Sequence, residues 1–226
     1  MRTEPVLLVH GFASSFELNW RQPGWVDLLQ EAGRTVIGPD VLGHGSAAKP
    51  HDPAAYAELE NTLIQYLPDG QVDAIGFSMG GQLLLKLASA MPERFGRLVV
   101  GGVGQRNLEE QDSEPVALAM ETGDSSGEGG TLARAFAQFG AGSDNDPLAL
   151  AACLRRPRSR LTLEDLGSVT CPTLLVVGDK DFVGSIDALL EALPDGKGKV
   201  LRGVDHFGTP RHFGFIDAAL GFIDAL

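Results

Sequence analysis

Val72-Asp73-Ala74-Ile75-Gly76-Phe77-Ser78-Met79-Gly80-Gly81-Gln82-Leu83-Leu84-Leu85 is the stretch on which the fold turns. Val72 to Phe77 is a short apolar run of strand type, and from Met79 to Ala90 apolar residues recur at helical spacing until Pro92 stops them. Between the two stands Gly76-Phe77-Ser78-Met79-Gly80, a G-x-S-x-G pentapeptide. A nucleophilic serine needs such a sharp strand-to-helix turn to lift its hydroxyl clear of the sheet edge, and flanking glycines let strand and helix approach. The context predicts a nucleophile at Ser78. The plainer reading, a serine capping a helix, is partly compatible, because the same helix end favours a developing anion.

Outward from this centre, short apolar runs alternate with helical segments. Val6 to Val9, Thr35 to Ile37, Leu98 to Val100, Thr173 to Val177 and Lys199 to Leu201 read as further strands. The pattern predicts helices from Trp25 to Ala32, from Pro53 to Leu67, from Ile186 to Leu193 and from Pro210 to Leu226. Strands without polar alternation are buried on both faces, so the expected fold is α/β, a mostly parallel sheet of about six or seven strands with helices on both sides. The rhythm breaks between residues 105 and 169, which hold an acidic opening, a Gly/Ser-rich stretch from Gly123 to Gly130 and two amphipathic helices. The first of these runs from Thr131 to Phe139, and the second has Asp146 as N-cap and Pro147 at its first position. This interval reads as a helical cap inserted into a core of residues 1–104 and 170–226.

A serine is a weak nucleophile without a base. Of the five histidines, His206 follows the last strand and precedes the closing helix, which puts it at the same sheet edge as Ser78. His212 falls at the start of that helix and reads as a surface residue. The base needs a carboxylate to orient it, and Val177-Gly178-Asp179-Lys180-Asp181 supplies two. The length of the turn favours Asp181, with Asp179 left to fix the loop through backbone N–H groups; geometry decides between them. The oxyanion requires two preorganised donors. Met79 N–H is one, and Phe12 N–H, in His10-Gly11-Phe12 after the first strand, is the other. His10 reads as a loop-structuring residue, and Ser14 and Ser15 as loop caps.

Composition narrows the function further. Thirty acidic against eighteen basic residues give a net charge of -12, and no basic patch suited to nucleic acid is present. Arg155, Arg156, Arg158 and Arg160 form the densest basic group and read as a solvated helix end. Cys153 and Cys171 make no disulfide framework. No run has the length of a membrane span, and Met1 to Val9 lacks the pattern of a signal peptide, so the cytoplasm is the expected compartment. No phosphate loop or metal-ligand spacing is found, and Gly101-Gly102-Val103-Gly104 lacks the third glycine of a dinucleotide fingerprint. No metal, cofactor, nucleic-acid or membrane partner is expected, and the oligomeric state is open.

His10-Gly11-Phe12, Pro39-Asp40-Val41-Leu42-Gly43-His44-Gly45, Gly76-Phe77-Ser78-Met79-Gly80-Gly81, Gly178-Asp179-Lys180-Asp181 and Asp205-His206 together resemble the α/β-hydrolase family. The resemblance spans essentially the whole chain and is specific for fold rather than substrate. It implies Ser78, Asp181 and His206 as catalytic residues and a structural His44. Asp205 departs from the small residue usual before the histidine, and the chain starts almost at the strand that leads to the His-Gly turn, so an initial hairpin is expected to be missing. A serine rather than an aspartate at the nucleophile position speaks against epoxide hydrolases and dehalogenases. The leading expectation is hydrolysis of a small or medium ester through an acyl-enzyme, with Phe12, Phe77 and Met79 beside the nucleophile; Leu132, Phe136, Phe139 and Leu148 suit an apolar acyl pocket under the cap and equally suit plain core. The resemblance leaves open C–C bond, lactone or perhydrolase chemistry with the same residues, and a ligand-binding protein on the same fold.

Overall fold

Six strands, each overlapping a run that the sequence marks as a strand, pair in parallel in the order β2-β1-β3-β4-β5-β6 in the computed structural model, which describes residues 2–123, 130–141, 143, 145–157 and 160–226. They are β1 (Val6–Val9), β2 (Val36–Ile37), β3 (Val72–Phe77), β4 (Phe95–Gly101), β5 (Thr173–Gly178) and β6 (Gly196–Leu201). The strand order reverses at β1 and β3, both of which are buried along their whole length. In open parallel sheets a ligand site forms outside the carboxyl ends of the strands at such a reversal. Here those two ends lead into the Gly11 loop and Ser78.

The sheet separates two apolar layers by simple alternation. Leu7, Val9, Ala74 and Val100 face one core, and Val6, Leu8, Ile75 and Val99 face the other. The first layer is closed by α2 (Met79–Ala90), and the second by α1 (Trp25–Glu31) and α8 (Phe213–Phe222). Trp20, Trp25 and Phe215 are fully buried and stack edge to face, with ring centroids 5.0–5.2 Å apart. Trp25 Nε1 donates to the Pro210 carbonyl at 2.9 Å, which ties α1 to the start of the closing segment.

Between β4 and β5 lie α3 (Glu114–Thr122), α4 (Gly130–Ala141), α5 (Pro147–Leu154) and α6 (Leu163–Gly167), and α7 (Asp187–Ala192) follows β5. Asp146 caps α5 by accepting from Leu148 and Ala149 N–H, with Pro147 in the first turn. The helical cap is pinned to the core by Asn145, which donates to the Ser14 carbonyl and accepts from Gly45 N–H. Residues 124–129 of the Gly/Ser-rich stretch, and Arg158, lie outside the described residues.

Three expectations are corrected. The helix from Pro53 to Leu67 is two 3-10 helices, Pro53–Tyr56 and Leu59–Tyr66. Glu58 leaves helical backbone (φ -119°, ψ 57°), which lets Tyr56, Leu59 and Leu63 all turn inward. The closing helix starts after His212, because Pro210 belongs to a separate 3-10 turn and the exposed His212 caps α8 by accepting from Gly214 N–H. Helix α3 was not expected; Asp112 accepts from Glu114 N–H at its start, and its apolar face packs on α4 and α5.

Candidate active site

Ser78 stands between β3 and α2 with φ 52° and ψ -114°, a backbone region that side chains other than glycine rarely occupy. The turn is held because its surroundings leave no alternative. Ser78 N–H donates to the Gly101 carbonyl on β4 at 2.8 Å. A Cβ on Gly76 would lie 2.8 Å from Gly81 Cα, and one on Gly80 only 2.2 Å from the Val9 carbonyl oxygen. Both glycines are therefore demanded by close approach, and the second of them brings the first turn of α2 against the end of β1.

His206 reaches Ser78 from the loop after β6. Asp205 shapes that loop, accepting from Gly208 N–H at 2.8 Å through its side chain and from the Thr209 hydroxyl through its carbonyl. The unusual residue before the histidine is thus a turn former. His206 Nε2 lies 2.9 Å from Ser78 Oγ, and Nδ1 lies 2.9 Å from each oxygen of Asp181. A carboxylate can only accept, so Nδ1 carries the proton and Nε2 presents a lone pair to the serine hydroxyl. Asp181 is oriented in turn by Val183 N–H, which donates to Oδ1 at 3.0 Å. Asp179 is exposed and accepts from Gly203 N–H at 2.7 Å instead, so Asp181 alone of the pair meets the histidine.

Phe77, Phe182, Phe207 and Phe136 surround the imidazole with centroid distances of 4.9, 4.4, 5.6 and 6.5 Å. His206 is 2% exposed, so its polar contacts face little competition from solvent. Phe182 and Phe207 were missed in the sequence, although each directly follows a residue chosen there and could have been found for that reason.

The Gly11–Phe12 loop has its own support. Asn19 accepts from Gly11 N–H at 3.0 Å, and His10 Nε2 accepts from Val41 N–H at 3.0 Å while Nδ1 donates to the Gly11 carbonyl at 2.8 Å. Burial pushes the His10 imidazolium below its ordinary range, so the ring serves this loop in its neutral form. His44, packed on His10 and Phe12, is lowered to about 3 by burial and by its histidine neighbour. Asn19 lies in a single π-helical turn, Glu17–Arg21, and no sequence pattern marked it.

Two cavities meet at Ser78. The larger, about 400 Å³, is walled by Phe77, Phe136, Phe139, Phe207 and His206, with Asn19 and Ser14 as polar members. The smaller, about 140 Å³, lies on the side of Met79 and holds Leu132, Val116 and Val183. Phe12 and Phe136 line both. Leu148, offered as a pocket residue, is 43% exposed on the outer face of α5, because the first turn of that helix projects into solvent. Ser15 accepts from Leu18 N–H as a loop cap, whereas Ser14 Oγ is buried without a hydrogen-bond partner among the described residues. Among the described residues no group of three or more His, Cys, Asp or Glu side chains is placed to hold a metal ion, and no helix is long and apolar enough to cross a membrane.

A doubly wound sheet with a serine on the β3–α2 elbow, a late histidine and a helical cap defines the architecture of the α/β hydrolases. The sequence profile of the alpha/beta hydrolase fold matches residues 4–124, over half of the chain, and the protein belongs to that family. It is 34% identical over 123 residues to a 2-hydroxymuconate semialdehyde hydrolase of Pseudomonas putida, a match covering 52% of this chain and 41% of that protein. A poly(3-hydroxyalkanoate) depolymerase of Ectopseudomonas oleovorans is 33% identical over 99 residues, covering 42% and 34%. These matches span less than half the length of the curated relatives. Among solved structures, MenH from S. aureus has a TM-score of 0.76 at 20% identity, with 99% of this chain and 95% of that chain covered. A bromoperoxidase from Bacillus anthracis has a TM-score of 0.72 at 24% identity, with 99% and 92% covered.

Proposed function

We propose that the protein is a serine hydrolase that cleaves small or medium carboxylic esters through an acyl-enzyme. One observation carries this reading: an unbroken line from Asp181 through His206 to Ser78, every link 2.9 Å, ending on a strained elbow at the mouth of a cavity. Ser78 Oγ attacks the carbonyl carbon while His206 Nε2 takes its proton, and Asp181 holds the ring and stabilises the imidazolium. The oxyanion accepts from the N–H groups of Phe12 and Met79, the latter the first residue of α2, whose N–H has no partner within the helix. The tetrahedral centre collapses as His206 gives the proton to the leaving oxygen. A water molecule, deprotonated by His206, then releases the acid and restores Ser78.

Hydrolysis of p-nitrophenyl acetate and butyrate by the wild type and by Ser78→Ala tests the reading. Turnover by the wild type that disappears in the variant supports it. A folded wild type inert to both esters would reject it. The same three residues serve C–C bond, lactone or perhydrolase chemistry, and the similarity to a 2-hydroxymuconate semialdehyde hydrolase favours a C–C or lactone panel as the next step in that event. A ligand-binding role without turnover would leave both panels silent while a ligand raises the melting temperature.

A further inference from the structure

The two cavities differ in which parts of the proposed machinery they touch, and that difference assigns the two halves of a substrate. This step rests on Ser78 being the nucleophile. His206 lines the large aromatic cavity and not the small one, whereas Met79 lines the small cavity and not the large one. The group that protonates the leaving oxygen must stand on the leaving-group side. The alcohol therefore departs through the aromatic cavity, and the acyl chain extends past Met79 into the chamber of about 140 Å³.

Leu132, Phe136 and Val183 line that chamber with Ser78, and Gln82, Asn107 and Arg156 line both it and an adjoining pocket that Ser78 does not reach. Arg156 is half-buried, and one of its nitrogens donates to the Cys153 carbonyl at 2.6 Å. Among the described residues no carboxylate lies within ion-pair distance of it. Its sequence neighbours are used differently: Arg155 pairs with Glu114 and Glu121, and Arg160 lies 3.9 Å from Glu110. Of the acidic residues nearby, Asp112 lines the same chamber but is engaged with Glu114 N–H, and Glu109 and Glu110 line the adjoining pocket. A guanidinium with donors to spare, on the wall of a chamber that also reaches the nucleophile, is suited to bind a carboxylate. At roughly 30 Å³ per water-sized group, the chamber holds about five such groups, the size of a short acid-tipped chain.

We propose that Arg156 selects acyl groups whose far end carries a carboxylate, so that the preferred substrates are monoesters of short dicarboxylic acids. The test compares hydrolysis of monoethyl glutarate with that of its neutral counterpart, ethyl pentanoate, by wild type, Arg156→Gln and Arg156→Lys. The readout is the ratio of the two kcat/KM values, in which any general loss of activity cancels. The expected wild-type ratio is at least about tenfold in favour of the glutarate, carried mainly by KM; it falls towards unity in Arg156→Gln and is partly kept in Arg156→Lys. A wild-type ratio at or below one, or a ratio unchanged by Arg156→Gln, overturns the proposal. So does cleavage of p-nitrophenyl acetate without cleavage of monoethyl glutarate. Ester hydrolysis that survives Ser78→Ala instead removes the nucleophile reading on which the proposal stands, and is recognised separately.

Discussion

At its amino end β3 buries Asp73 against arginines; at its carboxyl end it delivers Ser78 to His206. Both ends hold an Asp-containing hydrogen-bonded cluster, and they are built to opposite rules. Asp73 is fully buried and accepts from Arg34 and, with both oxygens, from Arg2. Arg34 spends its other donors on the Glu4 and Ile223 carbonyls, which staples the start of β1 to the chain's last turn. Each charge of that cluster is paired with an opposite charge inside it. At the other end Asp181 and His206 are equally buried, but the line stops at a half-buried hydroxyl that opens on a cavity. A closed polar network confers structure, and an open-ended one confers reactivity.

Asp181→Asn breaks the carboxyl end most informatively. The amide turns the imidazole to the wrong tautomer, so kcat is expected to fall about 10⁴-fold, while Asp179→Asn, which loosens only the Gly203 turn, costs less than about tenfold. Stopped assays on p-nitrophenyl butyrate decide this. A larger loss for Asp179→Asn would reverse the assignment.

Arg34→Met applies the same damage to the amino end. It leaves Asp73 buried with part of its compensation gone, and unfolding in urea is expected to lose about 3–5 kcal/mol, with kcat per folded molecule within about twofold of wild type. Adding Asp73→Leu should restore much of that loss, because the uncompensated charge is then gone. A stability equal to wild type in Arg34→Met would show that the network carries little of the fold.

The loops beside Ser78 contain buried polar groups as well, and pH reads them. His44 is held near 3 in the folded chain against an ordinary 6.5, and His10 is lowered too. Below pH 6.5 the unfolded chain takes up protons that the folded chain refuses. Stability is therefore complete above that pH and declines as pH falls towards 3. At pH 5 the expected loss from His44 alone is about 2 kcal/mol. Urea midpoints at pH 7.5 and 5, compared for wild type and His44→Gln, isolate it; a pH dependence identical in both would remove the assignment.

The carboxyl end was legible in the sequence and the amino end was not, for a physical reason. Ser78 announces itself through a strand, a glycine-flanked turn and a helix within about fifteen residues, and parallel topology then restricts where a late aspartate and histidine can lie. Asp73 sits inside the same quoted stretch, yet its partners are 39 and 71 residues away and nothing local signals them. Asn19 was missed on the same ground, since the Gly11 N–H that it accepts from belongs to another element. The helix pattern failed from Pro53 to Leu67, where apolar spacing fits a 3-10 pair as well as an α-helix.

The smallest expected effect concerns the strain that the carboxyl end stores and the amino end lacks. A side chain at φ 52° costs about 1–2 kcal/mol, and glycine adopts that backbone freely. Ser78→Gly should therefore be more stable than Ser78→Ala, the proper reference because both lack the hydroxyl. The greater freedom of glycine in the unfolded chain takes back roughly 0.5–1 kcal/mol, leaving a net gain of about 0.5–1 kcal/mol. For a chain of this size that is a rise of about 1–4 °C in melting temperature. Should Ser78→Gly melt at or below Ser78→Ala, the elbow would be relaxed in solution. The contrast between the two ends of β3 would then rest on hydrogen bonding alone.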